Sequence, residues 1–307
     1  MTYAVLFPGQ GSQTVGMCAD VRSARDDLFS EASDVLGWDL DALIEDGPDD
    51  LLTATENAQS ALFVTSYALW DEFSSLVDGG PVAMAGHSLG EYTALAAAGA
   101  IGFGDGVALV AERGRAMAEA AASHPSGMAA LIGADAEVAE SVAEARRADG
   151  GMLFVANINA PGQVVVAGGT DDLAWLEANA RDLGIRRAVV LKVAGGFHSP
   201  FMASARERLT TALDETVFHQ AAATVFANAT AQETTDPAAS LAAQLTLPVR
   251  FSETLENMAE AGVDTFIHIG PGDVTAGLAR RTLPEAEVLT VSTLLEARVV
   301  AESLSVQ

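Results

Sequence analysis

A serine hydroxyl becomes a useful nucleophile when a base lies within hydrogen-bond reach and donors await the negative charge that builds on its target. Ser88 is the residue placed for that chemistry. It is the centre of Gly86-His87-Ser88-Leu89-Gly90, after the apolar run Pro81 to Ala85 and before Glu91 to Ala98, which reads as a helix. Strand, G-x-S-x-G, helix is the setting that turns the pentapeptide into a nucleophile elbow; a bare match elsewhere is an ordinary loop. At such an elbow both glycine positions must stay small, and the serine faces the unpaired N–H groups of the following helix.

The base must come from five histidines. His87 points away if the elbow geometry holds, His124 and His219 sit in polar stretches, and His268 alternates along a buried strand, so each reads as a structural histidine. His198 stands just ahead of Ser199-Pro200, a good helix start, on a connection between two differently patterned regions. Domain junctions are preferred places for pockets. No Asp or Glu adjoins His198, so a backbone carbonyl or amide must orient it, and the pair reads as a dyad. Arg113, mid-helix in Glu112-Arg113-Gly114, returns beside the serine if its helix runs antiparallel to the one leaving the elbow.

The elements that must hold these residues follow a clear order. Tyr3 to Phe7 reads as a buried strand running into the turn Pro8-Gly9-Gln10-Gly11-Ser12-Gln13, where an α/β fold places ligand contacts. The glycines there lack the rest of a dinucleotide fingerprint or P-loop. Helices are expected over about 21–40, 58–77 and 106–121. From Ser126 to Val193 the pattern becomes βαββαβ, with strands at 128–132, 152–156, 163–167 and 187–193, helices at 136–147 and 171–183, and an inner turn Asn157 to Gly162. The fold class expected is therefore α/β: a large α/β-hydrolase-like domain with a parallel sheet (1–125 and 194–307) and an inserted ferredoxin-like subdomain (126–193). Further on come an amphipathic helix starting at Ser199-Pro200 and running to about 217, helices at 237–245 and 251–261, strands at 225–227 and 265–269, and a helix ending near Arg281. The end beyond about Ala297 reads as loose.

Composition narrows the function classes. The 307 residues are half apolar and carry 42 acidic against 16 basic side chains, a net charge of −26, with Lys192 the only lysine. Such a surface repels nucleic acid and anionic membrane. No apolar run reaches membrane-spanning length and the N-terminus lacks a signal-peptide pattern, so a cytoplasmic protein is expected. One cysteine, Cys18, and no Cys/His cluster argue against a disulfide or a metal site. Arginine pairs stand out at 146–147, 186–187 and 280–281; each could be a solvated face.

Six segments together resemble one family. Phe7-Pro8-Gly9-Gln10-Gly11-Ser12-Gln13, Gly86 to Tyr92, Glu112-Arg113-Gly114, Asn157 to Gln163, Gly196-Phe197-His198-Ser199-Pro200 and Gly270-Pro271-Gly272 resemble, in order and spacing over nearly the whole chain, the malonyl-CoA:acyl carrier protein transacylases, relatives of polyketide acyltransferase domains. The resemblance implies a ping-pong reaction in which malonyl-CoA acylates Ser88 and the phosphopantetheine thiol of an acyl carrier protein takes the malonyl group. It implies His198 as base, the backbone N–H groups of Gln10 and Leu89 as oxyanion hole, and Arg113 as the clamp on the free carboxylate. A guanidinium suits that last task because it offers a planar pair of donors. Phe197 and Met117 would line the acyl pocket, and the backbone carbonyl of Arg250, where relatives often carry glutamine, would orient His198. Arg186, Arg187, Arg280 and Arg281 fall where the family carries basic residues for carrier docking. No bound cofactor or metal is implied, and a monomer is expected. The alternatives are a trans-acting polyketide acyltransferase for another carboxylated acyl-CoA, a serine thioesterase or hydrolase, and a non-catalytic carrier-docking module.

Overall fold

The computed structural model of the chain describes residues 2–305. At its centre β1 (Tyr3–Phe7) is buried along its whole length. It lies between β2 (Ala83–Gly86) and β8 (Thr265–Ile269), with β7 (Thr224–Val225) and β9 (Glu287–Val291) at the edges. All four pairings in this five-stranded sheet are parallel. A parallel sheet covered on both faces demands near-continuous apolar strands, which is why Tyr-Ala-Val-Leu-Phe shows no polar alternation. Val5 and Phe7 enter one core with the Thr55–Ser74 and Phe103–Ser123 helices; Ala4 and Leu6 enter another with the Phe251–Glu260 and Val274–Thr282 helices.

The inserted region forms its own sheet, ordered β4-β5-β3-β6, from β3 (Ser126–Ile132), β4 (Leu153–Ala160), β5 (Gln163–Gly169) and β6 (Arg187–Val190), every pair antiparallel. One face carries the Ala136–Ala148 and Thr170–Asn179 helices over Leu131, Leu153 and Val166. Met128, Val165 and Ala167 on the other face join the main core, so the small sheet is packed down on the large one.

Several expectations need correction. The helix read over 21–40 is three helices, Ala19–Ala24, Asp26–Leu36 and Leu40–Asp46. Gly37, in the left-handed region at φ 75°, closes the second, and Asp39 opens the third by accepting from the Ala42 N–H. The turn expected over Asn157 to Gly162 is strand as far as Ala160, with two register shifts and a parallel bridge from Asn157 to Val249; only Pro161 and Gly162 turn. The loose tail is instead a helix, Leu294–Ser305, anchored by Ala297, Val300 and Ala301. β9 was outside the expected strands, its half-exposed edge giving a weak apolar signal. Among the described residues no helix is long and apolar enough to cross a membrane, and no cluster of His, Cys, Asp and Glu could hold a metal ion.

Candidate active site

β2 ends at Gly86 and the next helix begins at Gly90, leaving three residues to reverse direction. Ser88 sits in that bend at φ 53°, a left-handed conformation unusual for a side chain larger than hydrogen. A Cβ on Gly86 would overlap the Gly90 backbone, and one on Gly90 would overlap the Phe7 carbonyl, so the bend closes only with glycine at both places. Asn228 clamps it from outside. Its Oδ1 accepts from the Ser88 N–H at 2.7 Å and its Nδ2 donates to the Gly86 carbonyl at 2.7 Å.

His198 arrives from the connection after β6, also left-handed at φ 56° and 4% exposed. Its Nε2 lies 2.7 Å from Ser88 Oγ and its Nδ1 lies 2.6 Å from the Gln244 carbonyl. A carbonyl only accepts, so Nδ1 carries the proton and Nε2 is left to take the serine proton. Burial, and next the positive charge of Arg113, push the imidazole down to about 3, with the Gln244 carbonyl opposing. The imidazole is therefore neutral across the physiological range.

The expected orienting carbonyl of Arg250 does not fill that role. It accepts from the Thr254 N–H and hydroxyl, starting the Phe251–Glu260 helix. Gln244 ends the Pro237–Ala243 helix, where carbonyls lack helical partners, and its carbonyl is the one that faces the imidazole.

Arg113 is 1% exposed, the largest side chain so deeply buried. Nη1 donates to Gln59 Oε1 at 2.5 Å, and Nη2 donates to Ser88 Oγ at 2.9 Å and to Gln244 Oε1 at 3.1 Å. Its Nε has no partner, and among the described residues it forms no ion pair. Burial pushes the guanidinium down, while Tyr92 and Glu91 pull it back. A dry cation with no direct acidic partner is costly unless an anion joins it.

These groups open into a cleft of about 290 Å³ between the two sheets, lined by Gln10, Ser88, Leu89, Arg113, Met117, Phe197 and His198. The backbone N–H groups of Gln10 and Leu89 have no partner among the described residues. His87, expected to point away, lines the cleft too, its Nε2 2.7 Å from Asn159 Oδ1. Of the four candidate docking arginines, Arg186 and Arg281 meet in a shallow groove that shares Gln163 and Val165 with the cleft. Arg187 lines a separate groove with Arg181. Arg280 turns to the Val288 carbonyl and the Thr290 hydroxyl.

Sequence reasoning missed Gln244, Asn228, Glu91 and Gln59, all buried polar groups around the reacting pair, and gave Lys192 no place although it lines the cleft. A signal existed for Gln244: a lone amide inside the apolar run Leu241-Ala242-Ala243-Gln244-Leu245.

The α/β fold sets a strand-to-helix serine against a histidine, beside a buried guanidinium, an arrangement suited to acyl transfer. The acyl transferase domain family matches residues 4–300. The chain is 40% identical to the malonyl CoA-acyl carrier protein transacylase of Bacillus subtilis (strain 168) over 297 residues, 94% of this chain and 93% of that one. Among solved structures it is similar to the malonyl CoA-acyl carrier protein transacylase of Coxiella burnetii (TM-score 0.95, 32% identity, 99% and 98% of the two chains). It is also similar to a malonyl-transacylase solved in complex with its type II polyketide acyl-carrier protein (TM-score 0.94, 35% identity, 99% and 100%). The chain belongs to the malonyl-CoA:acyl carrier protein transacylase family and is an acyltransferase.

Proposed function

We infer that the protein moves a malonyl group from malonyl-CoA to the phosphopantetheine thiol of an acyl carrier protein in two half-reactions. Ser88 Oγ attacks the thioester carbonyl while its proton passes to His198 Nε2, and the resulting oxyanion is held by the Gln10 and Leu89 N–H groups. The intermediate collapses, the C–S bond breaks, and the CoA sulfur leaves with the proton from His198. The carrier thiol then gives its proton to His198, attacks the seryl ester, and Ser88 recovers the proton as it departs.

The observation that carries this reading is Arg113, buried with a free Nε and no acidic partner beside Ser88. A malonyl carboxylate would supply the missing charge and fix the acyl group by paired hydrogen bonds. Phe197 and Met117 form the wall against the methylene, and the ring leaves little room for a 2-methyl branch. Arg186 and Arg281, with Arg187 and Arg280 further out, are the positive ground for an acidic carrier on an otherwise acidic surface. The reading includes a hydrolase-like domain (1–125 and 194–307) with a ferredoxin-like subdomain (126–193), acting as a cytoplasmic monomer without a resident cofactor. The test is to incubate with malonyl-CoA, weigh the adduct on Ser88, then add holo-carrier. Transfer to the thiol supports the reading; release to water favours a thioesterase, and no adduct sinks both.

A further inference from the structure

The elbow is followed directly by Glu91, a carboxylate with no exposure at all. Oε1 accepts from the Ser240 hydroxyl at 2.8 Å; Oε2 accepts from the Asn228 N–H at 2.9 Å and from Gln244 Nε2 at 3.1 Å. Two of those partners, Asn228 and Gln244, lead back to Ser88, Arg113 and His198. Asn228 holds the Ser88 N–H, Gln244 Oε1 receives Arg113, and the Gln244 carbonyl receives His198.

We propose that Glu91 is the positioning residue of this site, acting through Gln244 and Asn228 to aim Arg113, His198 and Ser88. The reason is the one-way chemistry of a bridged amide. An ionised carboxylate only accepts and a guanidinium only donates, so an amide between them has a single satisfied orientation, NH₂ toward Glu91 and C=O toward Arg113. The arrangement is a salt bridge relayed through one glutamine. It gives Arg113 a remote counter-charge, while its buried Nε keeps no hydrogen-bond partner. A protonated Glu91 would remove the counter-charge from this relay and make the Ser240 hydroxyl turn from donor to acceptor, leaving the amide held only by neutral acceptors on its NH₂ side, Glu91 Oε2 and the Ser88 carbonyl.

Glu91 is open to that switch. Burial pushes it up to about 7, against the Asn228 N–H, the Ser240 hydroxyl and Arg113, which hold it down. Arg113, on the Phe103–Ser123 helix, is the charged group that acts on it. Tyr92 is its titratable neighbour on its own helix, and Ser240, Gln244 and Asn228 are neutral. His198, held to about 3, does not titrate in the same range.

The inference rests on Ser88 being acylated, and the experiment separates the two. The rate of Ser88 acylation by malonyl-CoA is followed by intact mass for the wild type and Glu91→Gln between about pH 5.5 and pH 8.5. The readout is the ratio of the two rates, in which titrations of the substrate cancel. The expected ratio is about tenfold near pH 8, falling towards one below about pH 6 as the wild-type carboxylate becomes neutral. A ratio independent of pH, large or small, overturns the inference, because a merely structural glutamate would give it. Ser240→Ala provides the second arm should Glu91→Gln not fold. Losing a donor to the ionised form should move the wild-type rise in rate to higher pH, and an unmoved midpoint overturns the inference equally. No adduct on the wild type at any pH removes the acyl-enzyme reading itself.

Discussion

Arg113 Nη2 donates to Ser88 Oγ at 2.9 Å, so the group that would grip the cargo also touches the nucleophile. Arg113→Ala should therefore cost malonyl transfer about 3 to 5 kcal/mol, the scale of stranding a buried charge, while acetyl transfer is spared or improved. Rates with the two CoA thioesters measured side by side check it. Equal losses with both acyl groups would leave Arg113 a structural residue only.

Gly90→Ala should be damaging although alanine suits a helix start. The added methyl meets the Phe7 carbonyl and the Pro8 carbonyl, whose loop continues into Gln10. Overpacking of this kind costs about 1 to 3 kcal/mol and would push the Gln10 N–H off target. Melting temperature and acylation rate should fall together; a stable variant with full activity would show that the loop yields freely.

Acid should weaken the fold through His268. This fully buried imidazole, between the Thr275 hydroxyl and the Gly270 carbonyl, is held down to about 4, chiefly by burial. As pH falls below about 6.5 the unfolded chain takes up a proton that the folded chain refuses, so stability drops, by up to about 1.4 kcal/mol per pH unit for one group. Urea unfolding at several pH values should show a shallower acid loss in His268→Asn than in the wild type. Identical slopes would assign the loss elsewhere.

Reversing Arg186 and Arg281 to glutamate should raise the KM for the carrier several-fold and leave Ser88 acylation unchanged, whereas Arg280→Glu should do less, since Arg280 lies outside the groove that those two line. Steady-state kinetics with holo-carrier decide between them. A carrier KM that ignores all three changes would dismiss the patch.

Much of the site is legible in the chain because its parts are local. The elbow is a five-residue pattern between a strand and a helix, His198 is marked by the helix start behind it, and the buried strand Tyr3 to Phe7 shows itself by its unbroken apolar run. What stays hidden is non-local. The carbonyl that orients His198 belongs to Gln244 rather than Arg250 because one helix ends there and another begins at Phe251, and a backbone acceptor leaves no trace in residue type. Asn157 to Ala160 looks like a turn by composition, yet pairing with β5 and the bridge to Val249 keep it extended. Tertiary partners there outweigh the local preference of Asn and Ala.

Ser88 and His198 share a backbone twist that glycine adopts with ease and they do not. Replacing either with glycine would relax the chain at the very atoms where it works. In a lineage released from the need for turnover, these two positions would have no reason to keep the twist, since what it holds in place is the 2.7 Å meeting of the two side chains.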